Sequence, residues 1–240
     1  MTPEQATEIM RLRAGQVAPK QIARKLGLRP AAVKTFIQES AEAAYLQQVG
    51  EGNVAPLHEC LVNQSAAQRL LEGIELDEGV GVGGFAEVIM ARQERNRIVS
   101  TAYLVDYWCL GVKDVIPPRT RHKSDYERFK HACIERFKEP FIDISLAQAQ
   151  AIVYGAADYA RGLGFEPGRD FDQKAQMQLG PKPETLIPIE FGKNGKPMYF
   201  RGPYDDAEKI IKTLTANVGP GNFGSVMALG ALDNDPLFLE

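Results

Sequence analysis

Proline and glycine punctuate the first forty residues so regularly that a set of short helices is the only regular structure they favour. Thr2-Pro3-Glu4-Gln5 is a helix start. Thr2 can cap, Pro3 suits the first helical position, and Gln5 stands where a capping box takes Glu or Gln. This helix runs to about Ala14, with Ile9 and Leu12 on its apolar face, and Gly15 stops it. A second helix begins at Pro19, carries Ile22, Ala23 and Leu26, and ends at Gly27. A third starts at Pro30, with Val33, Phe36 and Ile37 at i, i+3 and i+4.

The stretch Pro19-Lys20-Gln21-Ile22-Ala23-Arg24-Lys25-Leu26-Gly27-Leu28-Arg29-Pro30-Ala31-Ala32-Val33-Lys34-Thr35-Phe36 resembles the helix-turn-helix of bacterial DNA-binding proteins. That family has a small residue where its two helices touch, here Ala23. Four residues on it has a glycine in the turn, where φ is positive, here Gly27. Six further on it has an aliphatic residue that packs back under the first helix, here Val33. Arg29 departs from the pattern, because the family favours a Ser or Thr cap and a guanidinium cannot accept the orphan amide protons. Pro30 partly compensates by presetting φ.

The resemblance implies a DNA-binding protein of transcription regulation whose second motif helix enters the major groove. Arg29, Lys34, Thr35 and Gln38 would then face outward. Arg29 and Lys34 would read guanine and Gln38 adenine, while Ala31 and Ala32 meet thymine methyls. Lys20, Gln21 and Arg24 would hold phosphates, which position the module without specifying sequence. Local charge agrees: Arg11, Arg13, Lys20, Arg24, Lys25, Arg29 and Lys34 stand against Glu4, Glu8 and Glu39. The blander account is that these charges solvate a small helical bundle or meet a protein.

Residues 41–49 extend the third helix or form a fourth, and Gly50-Glu51-Gly52-Asn53 with Pro56 breaks regularity. The chain therefore divides into a three-helix helix-turn-helix domain over 1–49 and a second domain over 56–229. In the second, strands are expected over 57–62, 85–92 and 98–107, the last two joined as a hairpin across Gln93-Glu94-Arg95-Asn96. Helices are expected over 65–72, 124–138, 146–161 and 205–218. Asn194-Gly195 is the strongest short hairpin signal in the chain, with arms at 186–191 and 198–201. A last strand is expected over 223–229. The mixture is α+β with mostly antiparallel pairing.

Three strings in this domain also resemble segments of bacterial helix-turn-helix-containing proteins of unknown function. They are Leu104-Val105-Asp106-Tyr107-Trp108-Cys109-Leu110-Gly111-Val112-Lys113, Tyr159-Ala160-Arg161-Gly162-Leu163-Gly164-Phe165-Glu166-Pro167 and Phe191-Gly192-Lys193-Asn194-Gly195-Lys196-Pro197. This implies that the two-part architecture recurs and brings no activity with it.

Signals of chemistry are sparse. Gly79-Val80-Gly81-Val82-Gly83-Gly84 satisfies GxGxxG by letter but lacks the preceding strand and following helix of a dinucleotide site, so it reads as a loop. Asp106 ends an apolar strand with Glu87 on its neighbour, the kind of placement from which phosphodiester enzymes hold Mg²⁺. A strand-end Asp serves equally as a turn residue. His58, His122, His131 and the three cysteines lack CxxC, HxxxH and HExxH spacing, so no metal site and no cofactor are expected. Asp205 and Asp206, like Asp170 and Asp172, read as helix caps. No catalytic residue is assigned.

The net charge of −3 conceals a second basic segment. Residues 119–138 hold Arg119, Arg121, Lys123, Arg128, Lys130, Arg136 and Lys138 against Asp125, Glu127 and Glu135. This is either a solvated helix face or a second phosphate-contacting surface. No apolar run reaches a membrane span, the N-terminus lacks a secretory signal, and three widely spaced cysteines make no disulfide framework. A cytoplasmic protein is expected. The leading expectation is thus DNA binding through residues 19–38, with the α+β domain serving oligomerisation, sensing or partner binding. The alternatives are a metal-dependent enzyme acting on nucleic acid and a protein-interaction adaptor.

Overall fold

The computed structural model describes residues 1–14, 17, 19–33, 35–37, 40, 55–74 and 83–227. The chain divides into two compact units, Met1–Val54 and Ala55–Glu240. The expected break at 50–53, the glycine run up to residue 82 and the tail beyond 227 lie outside the described residues.

In the first unit α1 spans Pro3–Ala14 and α2 spans Pro19–Leu26. Residues 30–33 and 35–37 are also helical. The start of α1 is the capping box read from the sequence. Thr2 Oγ1 accepts from the Gln5 amide at 3.3 Å, and Gln5 Oε1 accepts from the Thr2 amide at 3.0 Å. The core is small and wholly aliphatic at its centre: Ile9, Leu12, Ile22, Ala23 and Val33 are buried, with Val17, Leu26, Leu28, Phe36 and Ile37 packed around them.

The second unit is α+β. Strand β1 (Leu57–Asn63) leads into α3 (Gln64–Leu71). Strands β2 (Phe85–Glu94) and β3 (Arg97–Asp106) form the expected hairpin, in register from Phe85 opposite Asp106 to Glu94 opposite Arg97. Strand β4 (Gly111–Arg121) lies outside the strands expected from the sequence, and it contains Pro117-Pro118. It pairs antiparallel with β3, and its register shifts between Ser100 and Ala102, so the two prolines fall at an irregularity. Proline is tolerated there because β4 is an edge strand. After α4 (Lys123–Phe137), strand β5 (Phe141–Asp143) joins the far edge of β1, giving the order β4-β3-β2-β1-β5.

Helices α5 (Leu146–Gly162) and α6 (Gln173–Leu179) follow. The pleat sends alternate side chains to opposite faces. Val62, Val88, Met90, Tyr103, Val105 and Val112 share a core with Ile152, Val153 and Ala156 of α5 and Ala175 and Leu179 of α6. Leu61, Ile89 and Ala102 face the other way, toward Cys133, Phe129 and Ile134 of α4. Tyr103 is fully buried, and its hydroxyl donates to Ala175 O at 2.7 Å, which satisfies the polar tip inside the core.

The C-terminal third departs most from expectation. Residues 186–191 are not a strand. Leu186, Ile189 and Phe191 pack onto the main core, but their backbone joins no sheet. Asn194 and Gly195 do adopt positive φ, 53° and 72°, as a type I′ turn needs. The turn closes only an isolated bridge between Lys193 and Lys196. Strand β6 (Met198–Phe200) pairs instead with β7 (Gly224–Val226), in parallel, across the intervening α7 (Ala207–Asn217). Asp206 caps α7 and Asp172 caps α6, as expected. Asp205 does something else: it accepts from Lys113 Nζ at 3.0 Å and from the Gly202 amide at 2.8 Å, tying this region to β4.

Candidate nucleic-acid interface

Helix α2 has two chemically distinct sides. Ile22 and Ala23 are 0% and 1% exposed and meet Ile9 and Leu12 of α1. Lys20, Gln21, Arg24 and Lys25 are exposed. Lys20 and Arg24 are four residues apart, as are Gln21 and Lys25, so the four form neighbouring rows on one surface. Lys25 has no counterpart in the resemblance; its spacing of four from Gln21 places it on the same surface.

The turn after α2 is set by Gly27, whose φ is +64°. The Leu28 amide donates to Ala23 O at 2.9 Å, closing the helix end over the small residue. Val33, one turn into the next helical residues, is 0% exposed beneath it. Arg29 and Thr35 are exposed, as are Ala31 and Ala32. Lys34 and Gln38, the other two residues expected to face bases, lie outside the residues whose side chains are described.

Electrostatics distinguish this face from α1. On α1, Arg11 is held by Glu8 through two contacts of 2.7 Å, which lowers the Glu8 carboxyl and raises the Arg11 guanidinium. Among the described residues, Lys20, Arg24, Lys25 and Arg29 enter no ion pair. Four exposed cations on a short stretch of surface make a positive patch that attracts polyanions.

The second basic segment is organised differently. Lys130 lies 3.1 Å from Glu59 and 3.0 Å from Glu127. Arg136 bonds Glu87 at 2.6 Å, and Arg128 pairs with Asp125. Arg121 donates to Ser100 O and Oγ and lies over the Phe129 ring at 4.1 Å. Two of the acidic partners, Glu59 and Glu87, come from β1 and β2 and were invisible to a count along 119–138. Lys130 and Arg136 thus tie α4 to the sheet, while Arg119, Lys123, Arg128 and Lys138 are exposed.

Asp106 and Glu87, on neighbouring strands, each have one carboxylate oxygen bonded to a protein group. Asp106 Oδ1 accepts from the amides of Trp108 and Cys109 at 3.0 and 2.9 Å, the geometry of a turn-forming aspartate. Burial pushes its carboxyl up to about 6, against the pull of Lys113 and those amides. Glu87 is pushed up to about 7 by burial, against the pull of Arg136. No group of three or more His, Cys, Asp or Glu among the described residues is arranged to hold a metal ion. The three cysteines are buried and unpaired with one another, as small apolar residues would be. Among the described residues no helix is long and apolar enough to cross a membrane. Compared with protein-family models, curated proteins and solved structures, the chain matches none.

Proposed function

We propose that residues 1–40 bind duplex DNA. Lys20, Gln21, Arg24 and Lys25 contact phosphates, and Arg29, Lys34, Thr35 and Gln38 approach base edges from the helix after the turn. The observation that carries this reading is the outward face of α2 and the following turn. It holds four exposed cations that enter no ion pair among the described residues, over an aliphatic core built on Ala23 and Val33. The positive-φ turn at Gly27 sets the angle at which the next helical residues leave. The second unit, on this reading, serves oligomerisation, sensing or partner binding, which a single small module needs for tight binding.

The rival reading as a metal-dependent enzyme draws no support from Asp106, whose Oδ1 accepts from two backbone amides, or from Glu87, whose Oε1 accepts from Arg136. Retention of labelled duplex DNA, measured over a range of salt, tests the proposal. Each lost phosphate contact reduces the salt slope by about one, so the Lys20→Ala/Arg24→Ala/Lys34→Ala triple should bind weakly and with a visibly flatter slope. Retention unchanged in the triple would overturn the proposal. Capture of a protein that survives nuclease treatment, with no DNA retention, would favour an adaptor instead.

A further inference from the structure

Strand β4 is the long edge of the five-stranded sheet, and the opposite edge, β5, is only three residues. A long edge strand offers a row of backbone donors and acceptors to any neighbouring strand. This one reaches the surface, where Asp114, Pro117, Arg119 and Thr120 are exposed. Its outward backbone groups are nevertheless closed one after another.

Pairs along an antiparallel ladder alternate between residues that turn their N–H and C=O toward the partner strand and residues that turn them away. Lys113 is an extra residue in the ladder between Val112, opposite Val105, and Asp114, opposite Leu104. Val112 and Val115 both turn away from β3. Val112 O accepts from the Gly168 amide at 2.7 Å. A Cβ on Gly168 would stand 2.6 Å from Lys113 O, so the loop between α5 and α6 lies directly on the β4 backbone. Phe171 of that loop is buried edge-on to Tyr103 and Tyr154, which holds the loop in place.

The Val115 amide donates to Asp114 Oδ1 at 2.8 Å. Further on, Ile116 stands opposite Ala102 and Arg119 opposite Ser100, so Pro117 and Pro118 together face Thr101. Such a bulge bends the strand, and neither proline has an N–H to offer.

A covering loop, a side chain on an outward amide and a proline bulge thus act on one strand edge. What they share is that each removes a group that a further strand would bond. A second copy of this chain is the neighbour that carries a matching edge, because two β4 strands related by a two-fold axis present the same groups to each other. We propose that Asp114, Pro117, Pro118 and the Gly168 loop seal β4 against antiparallel pairing with β4 of a second copy. An oligomer built on the second unit then uses another surface.

Sedimentation velocity of the full chain over a range of concentrations tests this, with Trp108 fluorescence as the check on folding. The Asp114→Ala/Pro117→Val/Pro118→Thr triple frees the Val115 amide and restores two N–H groups. It is predicted to self-associate with a dissociation constant about tenfold or more below that of wild type. Hydrogen exchange should place the new contact on residues 115–119, whose protection rises with concentration. In wild type, exchange of the β4 amides should not depend on concentration. Should the triple fail to fold, Asp114→Ala alone decides, since the Val115 amide should then exchange roughly tenfold faster than in wild type. A triple that associates no more than wild type, a wild-type β4 whose protection rises with concentration, or a Val115 amide indifferent to Asp114→Ala would overturn the seal.

Discussion

Replacing Gly111 with alanine separates two costs that a positive-φ glycine can carry. Gly111 opens β4 with φ +69°, where an L side chain pushes Cβ toward the following carbonyl at about 1–2 kcal/mol. The new Cβ would also stand 2.6 Å from Ala160 Cβ and 2.7 Å from Ala156 O, both on α5. Neither contact is the end of a flexible side chain, so β4 and α5 must separate, and overpacking of that kind adds roughly 1–3 kcal/mol. The expected loss is about 2–5 kcal/mol, against a typical domain stability of about 5–15 kcal/mol.

Trp108, the chain's single tryptophan, packs on Tyr107 and Phe200 in the same unit and reports its unfolding by fluorescence. With a urea slope of about 2 kcal/mol per molar, the midpoint should drop by roughly 1–2.5 M. Gly73→Ala is the control. Its φ is +68°, yet an added Cβ would meet nothing within 4 Å, so only the conformational cost of about 1–2 kcal/mol remains. Because Gly73 belongs to the same compact unit as Trp108, the same transition should move by that smaller cost alone. A Gly111→Ala midpoint within error of wild type would refute the reasoning, as would an equal shift in Gly73→Ala.

Other residues give independent checks. Glu139 accepts from Asn63 Nδ2, the Ser65 amide and Ser65 Oγ at 2.9, 2.9 and 2.8 Å, supplying the start of α3 with the cap that Asn63 does not provide. Glu139→Ala should cost about 2–3 kcal/mol by Trp108 fluorescence, since three partners lose an acceptor; a loss under about 0.5 kcal/mol would contradict that role. Glu87 is raised from 4.5 to about 7, so the native chain holds a proton that the unfolded chain has released. Its contribution to stability is complete below the lower value and disappears as pH rises through the upper one, a swing of up to about 3 kcal/mol. The stability difference between wild type and Glu87→Gln should therefore change with pH in that window and level off above it; a constant difference would contradict this. Burial pushes the Cys60 and Cys133 thiols up to about 12 and raises Cys109 as well, so all three should react with a disulfide reagent only on unfolding, as measured by thiol release in native and denaturing buffer.

The sequence displayed the local signals well. The Thr2–Gln5 box, the β2–β3 hairpin, the helix with Tyr126, Cys133 and Phe137 inward, and the positive φ of Asn194 and Gly195 are each written in a few adjacent residues. What stayed hidden depends on partners far along the chain. Pro117-Pro118 looks like a break until β3 is seen to accommodate it on an edge. Residues 186–191 look like a strand because they are apolar, yet side-chain burial alone does not supply a pairing edge. The parallel β6–β7 pair needs α7 between its members, and no local pattern announces such a crossover. The charge of 119–138 was legible as a sum, but its cancellation by Glu59 and Glu87 was not, because those residues arrive from two other strands. At the candidate interface the sequence marked Lys20, Gln21, Arg24 and Arg29 as outward-facing, and all four are exposed.

A ¹H–¹⁵N shift map of the full chain, titrated with duplex DNA at low salt, puts the central proposal to its most direct test, because it locates the contact as well as detecting it. Amides of residues 19–37 should move with a common saturation curve and return as salt is raised, while those of α4 stay in place. Shifts confined to 119–138, or no shift anywhere at low salt, would contradict DNA binding through the N-terminal helices.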